Sequence, residues 1–282
     1  VIYFLIVNYY STTLVGKLIS SLPAIKNDKY KIFIINNSPD DDSIDQLKSE
    51  SILIFDAENN LGFGSACNLG LKLIYAEDPQ SVVWIINPDA YLLENILNKV
   101  NPFFELHPEV SVLGTIVHTP AGKIWFAGGC FIPTTGAILT QDLLTNTEVD
   151  YVSCDWVSGC SLIINLRNFR DCPGFDPAYF LYYEDFDFCR RYANQGHLIA
   201  VTKQFGLLHQ PSSITNRYVF QKIQHSTYSY LLTLDRYTNK LIFSMRLIRL
   251  ICNAIILMAV KPQVAFGKLY GVLLYLKYKP HI

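Results

Sequence analysis

The chain has 282 residues, 50% hydrophobic and 17% charged, which supplies one large buried core or two small ones and excludes a disordered or collagen-like chain. Charged residues fall below the roughly 25% usual for soluble domains, so part of the surface is expected to face something other than water. The formal net charge of −1 conceals a segregation: up to Asp187 there are 10 lysines and arginines against 23 acids, and beyond it 13 against one.

Over the first ninety residues, apolar runs at 1–7, 32–35, 52–55 and 82–86 alternate with segments at 12–22, 41–49 and 64–76 that are long enough for crossover helices. Near-continuous hydrophobic runs are what a parallel sheet covered on both faces requires. The first run is too short for an apolar targeting segment and lacks basic flanks, so the chain is expected to stay in the cytoplasm. From 110 to 164 shorter alternating runs with many Gly, Thr and Pro predict antiparallel strands added to the parallel core. Residues 184–195 read as a helix stopped by Gly196 in the left-handed conformation. Seven cysteines, an odd number without a C-x-x-C pair, read as reduced thiols rather than a disulfide framework or a structural zinc site.

Strand signals stop near Thr215. Residues 241–260 form an apolar helix whose Arg246, Arg249 and Asn253 make one narrow stripe, and residues 263–279 repeat the theme. Two internal arginines and the closing Pro262 argue against a bilayer-crossing helix, which takes about 20 mostly apolar residues. After Asp235 no acid follows, whereas Arg236, Lys240, Arg246, Arg249, Lys261, Lys268, Lys277 and Lys279 do. Such a tail suits an anionic lipid surface, and its charges are too dispersed among aliphatic residues to suit nucleic acid. A helical pair packed on the α/β domain is the alternative.

In open α/β sheets ligands sit at the carboxyl ends of the strands. That places Asn8-Tyr9-Tyr10-Ser11, Asn36-Asn37-Ser38-Pro39-Asp40, the Glu58-to-Gly64 segment and Asn87-Pro88-Asp89-Ala90 at the crevice. Asp89 follows Pro88, whose fixed φ stiffens the turn, although a lone turn Asp is ordinarily a local cap. Gly62 and Gly64, flanked by Asn60 and Asn68, have the form of a phosphate-cradling loop that opens a helix, with tight helix–sheet packing as the alternative. The first loop, Asn8 to Ser11, has no glycine, which counts against an NAD enzyme. Glu184, Asp185 and Asp187 crowd three carboxylates into four residues. The dipole of the following helix favours each by about 0.3 to 1 kcal/mol, but three exceed what capping needs. On a helix Glu184 and Asp187 share a face while Asp185 points elsewhere, so one can face a cleft while the others hold backbone or cations.

Six segments carry a likeness: Val7-Asn8-Tyr9-Tyr10-Ser11, Asn36-Asn37-Ser38, the Asn60-to-Gly70 run, Asn87-Pro88-Asp89-Ala90, Trp156-Val157-Ser158-Gly159-Cys160, and Gly174-Phe175-Asp176 through Tyr183-Glu184-Asp185-Phe186-Asp187. In order and spacing they resemble, over nearly the whole chain, the inverting GT-A glycosyltransferases of family 2 and their rhamnosyltransferase-like branch. The resemblance implies an α/β GT-A fold: a mostly parallel central sheet, added antiparallel strands and C-terminal helices. It implies a catalytic domain over 1–215, followed over 216–282 by a basic amphipathic region that touches the membrane surface. The implied reaction moves a sugar, rhamnose from dTDP-L-rhamnose, to a lipid-linked or cell-surface polysaccharide acceptor at the cytoplasmic face of the cell membrane, with the protein held peripherally.

Residue by residue, Asp185 matches the family's base, and Asn87-Pro88-Asp89 matches its strand-end D-x-D motif, with one carboxylate remaining. Asp89, with His209 as a further ligand, is thereby implied to hold Mg²⁺ or Mn²⁺ bridging the donor diphosphate; one carboxylate with phosphates and waters suits such ions. Donor contacts are implied at Asn8, Tyr10, Asn36, Asn60, Gly62, Gly64, Asn68, Asn87 and Asp89, and acceptor contacts at Trp156, Gly159 and Glu184. Asn36 stands where the family has an Asp that accepts from the pyrimidine N3–H, a role an amide oxygen can still fill. Asn36 and Asn87 also motivate a catalytically inactive membrane-bound scaffold as an alternative. A nucleotidyltransferase on a similar sheet would need a second metal-binding carboxylate near Asp89 and a glycine-rich first loop, neither of which is apparent.

Overall fold

The computed structural model describes residues 1–23, 30–93, 96–210 and 218–278. The first part of the chain runs β1 (Ile2–Asn8), α1 (Thr12–Ser21), β2 (Tyr30–Asn36), β3 (Ile52–Asp56), α2 (Phe63–Glu77) and β4 (Val82–Ile86). These four strands are parallel, in the order β4-β1-β2-β3. Every residue of β1 is buried because both faces are covered. Ile2, Phe4 and Ile6 pack with Val15 and Leu18 of α1, while Tyr3, Leu5 and Val7 pack with Ala66, Cys67 and Leu71 of α2. The crossover helix expected over 41–49 is instead a single 3-10 turn, Ser43–Leu47. The Asp41 carboxylate accepts the Ser43 N–H at 2.9 Å, a local side-chain bond that competes with helical backbone pairing.

The chain continues through β5 (Ala90–Leu92), α3 (Leu97–Leu106), β6 (Val110–His118), β7 (Ile124–Phe126), β8 (Gly129–Ile132), β9 (Ala137–Thr140), β10 (Val152–Ser153), β11 (Ser161–Asn165), α4 (Glu184–Asn194) and β12 (Leu198–His209). The completed sheet orders its strands β10-β12-β6-β11-β4-β1-β2-β3, with β5 on β12 and β7 on β6. Antiparallel pairing enters where expected, because β11 lies antiparallel between β4 and β6; β6 and β12, however, pair in parallel. Strands β8 and β9 form a separate hairpin. Gly196, at φ +93°, follows α4 as anticipated, and all seven cysteines are free.

Three helices complete the described chain: α5 (Val219–Tyr237), α6 (Lys240–Leu257) and α7 (Pro262–Tyr278). None of the described helices is long and apolar enough to cross a membrane. The boundary expected at 215/216 lies outside the described residues, as do Pro211 and Lys279. Helices α5 and α7 approach closely at Gly271, where a Cβ would sit 2.6 Å from the Gln224 carbonyl oxygen. Leu231, Leu232, Val272 and Tyr275 share a small core with Tyr179 from the segment before α4. A buried carboxylate ties this layer to the sheet domain: Asp187 of α4 accepts from Arg191 Nε at 2.6 Å, Arg236 Nη1 at 3.1 Å and the Tyr237 hydroxyl at 2.9 Å. Arg236 also pairs with Asp176 at 2.6 Å.

Removing one partner of a buried ion pair costs about 3–5 kcal/mol, because the other is left uncompensated. Asp187→Ala is therefore expected to lower the urea unfolding free energy by about that amount, and an unchanged unfolding midpoint would show that the anchor contributes nothing.

Candidate active site

Two strand registers assemble the site. In the first, β5 pairs antiparallel with β12 so that Ala90 faces His209. The neighbouring Asp89 Oδ1 thereby comes within 3.1 Å of His209 Nε2, with both side chains almost fully buried. The Asp89 carbonyl also accepts the Gln210 N–H at 3.0 Å. The His209 ring lies edge-on to Trp125 at 4.7 Å, and its Nδ1 is buried with no hydrogen-bond partner among the described residues.

In the second register, Ser161 of β11 faces Ile86 of β4, and the Asn87 N–H donates to the Cys160 carbonyl at 3.0 Å. This sets Gly159 beside the Asn87–Asp89 turn, and its N–H donates to Asp185 Oδ2 at 2.8 Å. The other carboxylate oxygen accepts the Phe186 N–H at 2.8 Å. Helix α4 is reached through Tyr182 and Tyr183, at φ +69° and +65°. Two consecutive left-handed residues with side chains cost about 1–3 kcal/mol each and persist only where the surroundings enforce them. The enforcing contacts are visible: Ser229 of α5 donates to the Leu181 carbonyl at 2.9 Å, and the Phe63 N–H donates to the Phe180 carbonyl at 3.0 Å.

Asp89, His209 and Asp185 line one cleft of about 790 Å³, within the range of small-molecule sites. Its electrostatics separate the acids of α4. Burial raises the Asp185 carboxyl above its ordinary 3.8, opposed by the Gly159 and Phe186 N–H bonds. Glu184, buried, with an Oε2 atom that has no partner, is raised further, first by burial and then by the Asp185 charge. Burial and mutual repulsion therefore favour the protonated form more strongly at Glu184 than at Asp185. Among the described residues no three His, Cys, Asp or Glu side chains converge as a metal cluster.

The structure brings Tyr10, Asn60, Gly62, Asn87, Asp89, Trp156, Gly159, Glu184, Asp185 and His209 to the cleft wall, and leaves Asn8, Asn36, Gly64 and Asn68 off it. Asn8 Nδ2 donates to Asn36 Oδ1 at 3.1 Å, and Asn8 Oδ1 accepts from the Ser11 N–H and hydroxyl. Asn36 Nδ2 in turn donates to the Asp41 carbonyl and to Asp56. Its amide is consumed in joining β1, β2 and β3, and the adjacent Asn37 faces the cleft instead. Asn68 clasps the Phe175 backbone through two bonds, at 2.7 and 2.8 Å. The two glycines serve close packing: a Cβ on Gly62, at φ +79°, would lie 2.2 Å from the Phe180 carbonyl oxygen, and one on Gly64 would lie 3.0 Å from Phe175 Cβ. An unanticipated wall comes from α5 and the residue before it, with Tyr218, Gln221, Lys222, His225 and Ser226. Their polar-face pattern matches that of any surface helix, so the sequence carried no signal for them.

The Glycosyl transferase family 2 model matches residues 3–156, more than half of the chain. The chain belongs to glycosyl transferase family 2. It is 25% identical over 205 residues to N-acetylglucosaminyl-diphospho-decaprenol L-rhamnosyltransferase of Mycobacterium tuberculosis, in an alignment covering 64% of this chain and 66% of that protein, just under two thirds of the relative's length. Its fold is GT-A. GalNAc-T7, solved with UDP, GalNAc and Mn²⁺, superposes with a TM-score of 0.63 at 13% identity, over 83% of this chain and 47% of that one. The mannosyltransferase PcManGT of Pyrobaculum calidifontis, solved with GDP-Man and Mn²⁺, gives 0.56 at 11% identity over 99% and 88%. TarS 1–349 of S. aureus with UDP-GlcNAc gives 0.55 at 15% identity over 82% and 66%.

A carboxyl raised in the folded state holds a proton that the unfolded chain has released, so its stabilising effect is complete below 4.5 and is lost as pH rises toward the folded value. Glu184→Gln, a neutral isostere, is expected to flatten the decline of stability with rising pH above 4.5. Denaturant titrations at a series of pH values check this; parallel curves for the two proteins would show that Glu184 is ionised in the fold.

Proposed function

We propose that this glycosyltransferase works by inversion with Asp185 as base, moving rhamnose from dTDP-L-rhamnose to a lipid-linked or cell-surface polysaccharide acceptor. The observation that carries this reading is the opening of Asp185 and the Asp89–His209 pair, from separate elements, into one cleft. A single displacement needs one base: the acceptor oxygen bonds to the anomeric carbon as the bond to the diphosphate oxygen breaks, and the hydroxyl proton passes to Asp185. Two backbone N–H groups hold that carboxylate in place.

Asp89 and His209 fit a divalent cation. They offer one hard carboxylate oxygen and one imidazole whose Nδ1 has no partner among the described residues, leaving the remaining positions to phosphate and water, as Mg²⁺ or Mn²⁺ prefers. When bound, the ion offsets the charge that develops on the diphosphate leaving group. Tyr10, Asn60, Gly62 and Asn87 are the donor-side wall and Trp156 the acceptor side; Asn8, Asn36, Gly64 and Asn68 support that wall from behind. The donor assignment draws on the resemblance to the rhamnosyltransferase-like branch and on the named reaction of the mycobacterial relative. That relative's diphospho-decaprenol acceptor supports a lipid-linked acceptor here and a peripheral position at the membrane, for which we propose the cytoplasmic face. Residues 1–215 form the catalytic unit and 216–282 the membrane-facing region, with α5 serving both.

Asp185→Asn is expected to reduce turnover by about 10² to 10⁴-fold while leaving nucleotide binding intact. The acid limb of the rate profile falls as pH drops through the raised Asp185 value, since only the carboxylate accepts a proton. Unchanged turnover in the variant removes Asp185 from the mechanism. A thermal-shift panel of dTDP-, UDP- and GDP-sugars with and without Mn²⁺ identifies the donor, because a ligand of the folded state raises the midpoint. The largest shift is expected for dTDP-sugar with Mn²⁺, and His209→Ala is expected to lose the Mn²⁺-dependent part; an equal shift in that variant rules out His209 as a ligand.

A further inference from the structure

Helices α6 and α7 each carry apolar residues on the side away from the protein. On α6, Leu241, Met245, Ile248, Cys252 and Ile255 follow one another at three- and four-residue steps and are all exposed. The opposite side, with Leu247, Leu250, Ile251 and Ala254, packs inward. On α7, Phe266, Tyr270, Leu273 and Leu276 make a second exposed row, while Ala265, Gly271, Val272 and Tyr275 are buried. Exposure along these rows, at Ile256 beside the first and at the turn between them is high: 71% for Ile256, 74% for Val260 and 60% for Leu273. Single exposed apolar residues are ordinary on protein surfaces, but contiguous rows mark a binding face.

Charge selects the occupant. Arg249, Lys261 and Lys277 are exposed on the same two helices and the turn between them, and no acid follows Asp235 in the chain. A second copy would meet this face with an identical one, setting basic groups against basic groups. An anionic bilayer offers apolar depth to the rows and negative headgroups to the cations, with Tyr270 and Tyr278 suited to the boundary between them. No described helix is long and apolar enough to span, so contact lies in the plane of the interface.

The face is also placed for the chemistry. Helices α5 and α7 run side by side in the same direction, Gly267 lying against Ile223 and Gly271 against Thr227. Phe220 meets Tyr270 with ring centroids 5.8 Å apart. The first turns of α5 carry Gln221, Lys222 and His225 on the cleft wall. Helix α5 thus has the cleft on one side and α7 on the other, packed helices running with axes about 8–10 Å apart.

We propose that the exposed rows of α6 and α7 seat the enzyme on an anionic bilayer with α5 between lipid and cleft, so that a lipid-linked acceptor reaches Asp185 without leaving the membrane. The docking itself stands on the surface alone; its use by the acceptor rests on the function proposed above.

The test is co-sedimentation of the full chain with vesicles of phosphatidylcholine alone or with 30 mol% phosphatidylglycerol, about, by design, the charge density of an anionic leaflet. Binding at least tenfold tighter to the anionic vesicles, weakened by salt, is expected. Ile256→Asp with Leu273→Asp is expected to abolish it, and Arg249→Glu with Lys261→Glu to remove the preference for anionic lipid. These side chains are exposed, so far-ultraviolet circular dichroism and the melting midpoint are expected to stay as in the wild type. Equal vesicle binding by wild type and the apolar variant would overturn the proposal. So would a wild-type dimer, by sedimentation equilibrium, that the apolar variant dissociates and that binds no vesicles, since the face would then belong to a second copy. Asp185→Asn is expected to bind vesicles as the wild type does, so failure of the transfer chemistry and failure of docking are read separately.

Discussion

The site depends on the insertion of β11, antiparallel, between β4 and β6. That pairing presents the Gly159 N–H beside the Asn87–Asp89 turn, and the same N–H holds Asp185. The Asn87 turn and Asp185 are thus tied to the same stretch of backbone by two bonds, from the Asn87 N–H to the Cys160 carbonyl and from the Gly159 N–H to Asp185. A slip of β11 by one residue would turn its side chains to the other face and leave the Asp185 carboxylate without this bond. The β5–β12 pairing does the equivalent for His209, so both halves of the cleft are set by main-chain register rather than by side-chain affinity.

Three acids within one helical turn occupy three environments. Asp187 is fully enclosed and neutralised by two arginines and a tyrosine. Glu184 is enclosed, its Oε2 has no partner among the described residues, and burial followed by the Asp185 charge raises its carboxyl well above the ordinary value. Asp185 is only partly buried, accepts two backbone N–H groups and lines the cleft. A helix N-terminus stabilises negative charge modestly; what separates the three is what each one touches.

The parallel half was legible because its strands are near-continuous hydrophobic runs, the pattern that two-sided burial requires. The order of polar strand-end motifs located the crevice, and Asp89, Asp185 and His209 do line it. The roles of the asparagines were less legible, since a buried asparagine that bridges strands and one that faces a ligand look alike in a sequence. Asn36 and Asn37 are neighbours, yet alternation along the backbone sends one into the sheet and the other to the cleft. The helix at 97–106 was obscured by Pro102 in its interior, and β12 by its irregular pairing between Thr202 and Gly206. Amphipathic pattern marks α5 as packed on one side without saying that its polar side closes a cavity.

That shared role of α5 bears on how the protein is prepared in the laboratory. An apolar tail invites trimming to improve solubility, and a cut after α5 looks harmless on a domain diagram. Yet Leu231, Leu232 and Tyr179 are sealed by Val272 and Tyr275 of the last helix, and α5 itself braces the strained tyrosines that lead into Asp185. A shortened product would trade one sticky surface for another and loosen the catalytic wall along with it, whereas charged replacements on the outer rows preserve both.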